Sequence, residues 1–341
     1  MCRTRSGLGS ALKAAIGCMA LSLLPLGSAA HAANGQDYPN RAVQLIVPFG
    51  PGSTADVVAR LFGRYASERL GQPVIVQNRS GAGGTIGVEA VTTAAPDGYT
   101  LLLTTSSTIV INPSLYKNLR YDVERDLQPI AELGVLPALL IAAPSLPANN
   151  VKELVNYVRQ NPGKLSYASN GLGSYAHVLM ELLKTSTGIE MVHIPYRGGN
   201  QADADLIAGN VHLMFNSLAA AAPQVAAGRL KALAVSSGQP SPLMPGVPGM
   251  GNSGVPELDD YDVSYWVGLF APAGTQPAIV EKLVALANDW VAQPQTRQAL
   301  SGQKILASPP KTPQAVRATI QSETRQWAEV LKNAKVEPQA Y

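Results

Sequence analysis

Cysteine is nearly missing from this chain: Cys2 and Cys18 are its only two, and both fall within the first eighteen residues. Any mature form that loses this stretch has no disulfide, no thiol nucleophile and no cysteine-ligated metal, so its core must hold it together unaided. Histidine is also sparse. Beyond the amino-terminal stretch only His177, His193 and His212 remain, without the i, i+4 pairing or carboxylate spacing of a zinc site. Past residue 32 there is no block of basic residues to argue for nucleic acid or an anionic membrane surface. Nor does any apolar run approach the roughly 20 residues that a spanning helix needs.

What stands at the amino terminus has an ordered composition. Arg3, Arg5 and Lys13 precede an apolar run from Ala14 to Leu26, and small residues follow, ending in Ala30-His31-Ala32. This is the order of a secretory signal peptide, which places residues 1–32 in a presequence, cleavage near Ala32 and the mature start near Ala33. Ala15-Ile16-Gly17-Cys18 offers a rival lipoprotein box, but Ala15 suits it poorly and the apolar run continues past it. Without the presequence the basic count falls from 26 to 23, equal to the 23 acidic residues. The pI near 8.8 thus belongs to the export signal.

About 300 mature residues exceed what one hydrophobic core organises, which points to two lobes. Val43 to Phe49 reads as a strand, Thr54 to Leu70 as an amphipathic helix stopped by Gly71, and Val74 to Val76 as a second strand. A Gly-rich turn with a helix over Gly81 to Thr93 and a strand over Tyr99 to Thr104 repeat the alternation, as parallel βαβ units do. A second series begins near Ala138. It has helices at Val151–Gln160, Ser174–Thr185, Gln201–Ala208 and Ala219–Ala227, and strands at Leu165–Ala168, Glu190–Ile194, Val211–Phe215 and Leu230–Val235. The Pro/Gly-rich stretch from Gly238 to Pro256 reads as a surface loop without helix. Leu139 to Ser145 and Gly268 to Gly274 resemble each other, each an apolar strand with a proline turn before an amphipathic helix. They read as two crossover strands of a hinge, which makes the first lobe discontinuous: 33–137 plus 268–341, with 138–267 as the second lobe.

Ligand sites in open α/β sheets lie beyond strand carboxyl ends, where loops feed helix N-termini. Phe49-Gly50-Pro51-Gly52-Ser53-Thr54-Ala55-Asp56 occupies that position, and its backbone N–H groups and helix dipole suit an anion. The plainer reading makes Gly-Pro-Gly a tight turn and Asp56 a residue that caps the helix. In the second series Asn170 and Ser174 occupy the equivalent place, Ser174 also being a helix cap. His177, one turn further on, either meets the ligand or supports the loop from inside. Thr105 and Ser106 follow a strand expected beside the first, and their hydroxyls suit an oxyanion. Tyr196-Arg197-Gly198 and Asn216 follow two further strands. Arg197 reads equally as a ligand clamp or a surface charge.

Six stretches now carry a resemblance: YPNRAVQLIVPFGPGSTAD, VIVQNRSGAGGTIGVEAV, APDGYTLLL, LSYASNGLGSYAHV, HIPYRGGNQADADLIAGNVHLMF and RLKALAVSS. In this order, and over nearly the whole mature length, the chain resembles the Bug family, the periplasmic receptors of tripartite tricarboxylate transporters. The resemblance implies a two-lobed periplasmic binding protein of the Venus flytrap, type II-like class, each lobe a mostly parallel sheet flanked by helices. It implies a monomer that binds a small di- or tricarboxylate or aromatic acid, needs no cofactor, and delivers its ligand to membrane permease subunits. Matched by position, it places Phe49 to Asp56, Gly83, Thr105, Ser106, Asn170, Ser174, His177 and Tyr196 to Gly198 around the cleft. Two positions depart from the pattern. Ser53 stands where relatives often carry glycine, and Asn216-Ser217 stands where many carry an acid, which weakens the case for an amino-acid ligand.

The rival readings are weaker. Gly81 to Gly87 follows a strand but lacks the spacing and downstream acid of a dinucleotide fingerprint. Gly171-Leu172-Gly173-Ser174-Tyr175 is not a G-x-S-x-G nucleophile elbow. A receptor that presents its ligand to a signalling partner remains the alternative to transport.

Overall fold

A computed structural model describes residues 38–196 and 199–340. The presequence, Arg197 and Gly198 lie outside the described residues. The first apolar run forms strand β1 (Val43–Val47), covered on both faces save at Gln44. Helix α1 (Thr54–Leu70) starts where the Ser53 hydroxyl accepts a hydrogen bond from Asp56 N at 3.3 Å and stops at Gly71, whose φ of 67° ends the ladder. Its apolar face includes Phe62, which meets Trp290 edge-on at 5.4 Å. β2 (Val74–Asn78), α2 (Thr85–Thr92) and β3 (Thr100–Thr105) continue the alternation. A 3-10 turn over Ala82–Gly84 replaces the first part of the helix expected from Gly81. The chain then passes a π turn at Ser107–Ile111 and two short helices, α3 (Asn112–Leu115) and α4 (Val123–Asp126), to reach β4 (Leu127–Leu136).

One residue later β5 (Ala138–Ala142) opens a second set of elements: α5 (Val151–Gln160), β6 (Ser166–Ser169), α6 (Tyr175–Thr187), β7 (Val192–Pro195), α7 (Gly199–Ala208), β8 (Leu213–Ser217), α8 (Leu218–Ala226) and β9 (Lys231–Val235). β10 (Tyr265–Pro272), α9 (Pro277–Ala292), α10 (Pro294–Gly302), β11 (Leu306–Ala307) and α11 (Pro313–Asn333) complete the chain.

The strands form two sheets, in the orders β11-β4-β10-β3-β1-β2 and β7-β6-β8-β5-β9. The two-lobed α/β architecture is the expected one, but each sheet is mixed where mostly parallel sheets were expected. β1 runs parallel to β2 and β3, and β6 parallel to β7 and β8, while β4, β5, β9, β10 and β11 pair antiparallel. The reason lies in strands that do not come from βαβ units. β10 inserts between β3 and β4, and β5 inserts between β8 and β9.

The expected hinge also moves. Leu139–Ala142 lies inside the second sheet and Val267–Ala271 inside the first, so neither segment crosses between them. Among the described strands, the chain changes sheet at Pro137 and again between β9 and β10. Ser236 ties these two crossings together. Its hydroxyl accepts from Ala138 N at 2.9 Å and donates to Val263 O at 2.6 Å. Its backbone donates to Ala138 O and accepts from Val263 N.

The stretch from Gly238 to Pro256 is not only surface. A 3-10 turn at Met250–Asn252 tucks Met250 fully inside, and Gly249 bridges to Val235. Separate apolar clusters cover one face of each sheet. A third runs from Ile46 and Leu102 of the first sheet, past Trp327 of α11, to Leu140 and Tyr167 of the second. Helix α11 packs on β4 and also on α6, so it touches elements attached to both sheets.

Candidate functional site

Three helices of eight or more residues begin at one cleft. Thr54 opens α1, Tyr175 and Ala176 open α6, and Ser217 caps α8, and all four line a cavity of about 210 Å³. Each helix starts in the same way, with Ser53, Ser174 or Ser217 accepting from the backbone N–H three residues on, at 3.3, 3.4 and 3.3 Å. The cap occupies one of the four N–H groups that a helix start leaves over, and each start carries roughly half a positive charge. The cleft therefore gathers backbone donors from both sheets, and among the described residues that line it none carries a charged side chain. Leu136, Pro137 and Ala138, from the first crossing between the sheets, supply part of its wall, and Asn170, Phe215, Asn216 and Tyr265 complete the lining.

The loop before α1 owes its shape to Asp56. This buried carboxylate accepts from Gly52 N and Arg60 Nε through one oxygen, both at 2.9 Å, and from Asn78 Nδ2 through the other, also at 2.9 Å. Burial alone would raise its pKa, but hydrogen bonds from Arg60, Gly52 and Asn78 outweigh burial and hold it below the ordinary carboxylate value. Asn78 also donates to Phe49 O. Gly52, at φ 81°, makes the turn that brings its N–H back to Asp56. Asp56 thus faces away from the cleft, and Ala55 is fully buried beside it. Phe49, Gly50, Pro51, Gly52 and Ser53 build the approach, and Thr54 is the loop residue that reaches the cavity wall.

Other expected residues stand one layer back. Thr105 Oγ1 lies 3.1 Å from Ser107 Oγ, which lies 3.3 Å from the hydroxyl of the cleft residue Tyr265. Ser106 Oγ accepts from Trp266 N at 3.4 Å. Both residues are buried and brace the start of β10 rather than the cavity. Gly83 turns its carbonyl to Asn112 Nδ2 at 3.1 Å and does not line the cleft. Tyr196 sends its hydroxyl to Asp205 at 2.8 Å.

His177 is a buried support. Its Nδ1 accepts from Gly173 N at 3.1 Å, and its ring stacks on His193 at 4.2 Å, with the Tyr167 ring 4.9 Å from His193 and 6.4 Å from His177. Burial first, and then the neighbouring His193, push its pKa down to about 4, so it is neutral and an acceptor at neutral pH. Asn170 and Asn216 do line the cavity. Asn216 Nδ2 donates to Asp203 at 2.9 Å while its oxygen accepts from Ser217 N. Tyr265 and the Leu136–Ala138 segment were not foreseen. Phe215 and Ser217 flank the expected Asn216, and Tyr175 follows the expected Ser174.

Comparison with known proteins adds the family. The model for the tripartite tricarboxylate transporter family receptor matches residues 58–336. The chain belongs to this family. It is a solute-binding receptor and not an enzyme. This tripartite tricarboxylate receptor is 38% identical to protein BugT of Bordetella pertussis, over 86% of its own length and 90% of that relative's. A solved Rhodopseudomonas palustris structure with adipate matches 89% of the receptor and 100% of that chain, at 33% identity and a TM-score of 0.75. MatC from the same organism, solved with bound malate, matches 86% and 100%, at 32% identity and a TM-score of 0.70. Among the receptor's described residues no helix is long and apolar enough to cross a membrane.

Proposed function

We propose that this receptor is exported to the periplasm, takes a small carboxylate into the cleft between its two sheets, and passes it to the membrane permease subunits of a tripartite tricarboxylate transporter. The observation that carries this reading is the convergence of three serine-capped helix N-termini, one from the first sheet's side and two from the second's, on one cavity. Such donors hold a carboxylate firmly without transferring protons. The relatives solved with adipate and malate support a carboxylate as the ligand class. In this reading the first lobe comprises 38–137 and the chain from about 265 onward, and the second comprises the segment between. The Leu136–Ala138 segment, which walls the cavity and also crosses between sheets, lets ligand contact bias the angle between lobes. A thermal-shift screen of the mature protein against mono-, di- and tricarboxylates tests the proposal. Stabilisation by at least one carboxylate is expected, recovered unchanged afterwards. Indifference to every carboxylate tried, or conversion of one to a new mass, would overturn it.

A further inference from the structure

We infer that Leu115 is a positioning residue for ligand binding: seated on Gly173, it holds the cleft loop of the second lobe against the first lobe from a place that the ligand does not touch. This rests on the two-lobe receptor reading above and deepens it.

The contact joins the two lobes. Leu115 ends α3, between β3 and β4, while Gly173 lies in the loop between β6 and α6 that also carries Asn170 into the cavity wall. A Cβ on Gly173 would run into Leu115 Cδ1 and lie 2.6 Å from its Cδ2, so the end of the leucine fills the notch that this glycine leaves open. The glycine's φ of 71° points the same way, since few side chains tolerate it. Leu115 itself is 6% exposed. From its own side the loop is held by His177, whose Nδ1 accepts from Gly173 N. Gly173 is thus gripped between a histidine of its own lobe and a leucine of the other.

The leucine side is held firmly. Leu115 O accepts from Gln339 N at 2.8 Å, and Lys117 N donates to Gln339 O at 2.7 Å, which fixes the backbone on both sides of Tyr116. The same segment grips the Gly-rich turn after β2. Asn112 Nδ2 donates to Gly83 O, and a Cβ on Gly83 would lie 2.5 Å from the Tyr116 hydroxyl. One residue on, a Cβ on Gly84 would lie 3.3 Å from the ring of Phe49, in the loop before α1. The glycines that suggest a dinucleotide fingerprint therefore serve as a dock. Packed contacts run from Phe49 through the Gly83 turn and the Asn112–Tyr116 segment to Gly173, and the described lining of the cavity includes none of these residues. A ligand that draws the two cleft loops together gains the Leu115 contact besides its own, and that contact must break before the ligand leaves.

The test uses the full mature protein and, as probe, the tightest binder of the carboxylate screen above, adipate, malate, citrate and benzoate included. Leu115→Ala should raise the probe's koff about tenfold in stopped-flow exchange and leave kon within about twofold, because encounter precedes closure. Leu115→Met, which refills the notch, should return koff to within about twofold of the parent. Leu283→Ala makes the same deletion in the separate core cluster of the first sheet; it should lower the melting temperature and leave koff unchanged. In the parent, backbone amides of residues 112–117 should gain protection from hydrogen exchange when the probe binds. A koff unaltered in Leu115→Ala, or raised no more than in Leu283→Ala, would overturn the inference while the receptor reading stands. Should Leu115→Ala fail to fold, amides of 112–117 left unprotected at saturation overturn it equally. A screen without a single binder sinks the receptor reading and this inference with it.

Discussion

A buried histidine and a half-buried glutamate should give this receptor opposing responses to acid. His177 is 3% exposed, and burial, reinforced by His193, lowers its pKa from 6.5 to about 4. An unfolded chain takes up the proton below about pH 6.5 and the folded chain refuses it. His177 therefore contributes full stability above pH 6.5 and loses it progressively as the pH falls toward 4. Glu323 behaves in the opposite sense. Its carboxylate accepts from Trp266 Nε1 at 2.8 Å, with Glu132 and Lys311 nearby, yet burial dominates and raises its pKa from 4.5 to about 7. The folded chain takes this proton first, so the contribution of Glu323 is fully present below pH 4.5 and is lost as the pH rises through 7. Linkage converts each shift at about 1.4 kcal/mol per unit. Between about pH 7.5 and 5, His177 costs roughly 2 kcal/mol and Glu323 returns roughly 2 kcal/mol, so the two nearly cancel. Urea unfolding followed by circular dichroism at those two pH values separates them. Relative to the parent, His177→Asn should gain about 2 kcal/mol on acidification and Glu323→Gln should lose about as much. If both variants keep the parent's pH difference, the two groups titrate at ordinary values and the account of their burial is wrong.

Three further outcomes follow from the geometry. Asn170→Ala removes a cleft amide without touching a helix cap, and calorimetry should show roughly a tenfold weaker ligand with an unchanged melting temperature. Asp56→Asn removes the charge that gathers Gly52, Arg60 and Asn78. It should cost on the order of 1 to 3 kcal/mol in urea unfolding and also weaken the ligand, because the α1 approach loosens. Small-angle scattering with a stabilising carboxylate should show a smaller radius of gyration than without it, and an unchanged radius at saturation in a protein that is open when empty would refute closure.

The parts legible in the sequence are those whose determinants are local. The β1 run, its glycine turn and the Ser53 cap lie within a dozen residues, and the Ser169 to His177 segment repeats the device, so both helix starts could be read. β4 could not. Its sequence carries Pro129, a buried Glu132 and Gly134, which argue against a strand. Glu132 is tolerated because Ser308 and Lys311 bind it from far along the chain. Tyr265 reached the cleft for a similar reason: β10 carries it back into the first sheet from beyond the whole second lobe, and nothing around it in sequence marks it. For His177 the two readings were equally open. The stack with His193 and Tyr167, which favours internal support, joins residues from three different elements.

Ser236 sets the kind of motion available. Both passages of the chain between the sheets are fastened to this one buried serine, through Ala138 on one and Val263 on the other. Two lobes joined at separated points can shear or twist in several directions, whereas two joined at a common pin retain mainly a rocking rotation about it. Whatever opens the cleft therefore opens it along nearly the same arc each time, and the surface around the cleft takes few distinct shapes. Replacing this serine by alanine would leave the cavity's lining unaltered but loosen the pin, so its effect should fall on the rate and geometry of ligand exchange more than on the contacts that hold the ligand.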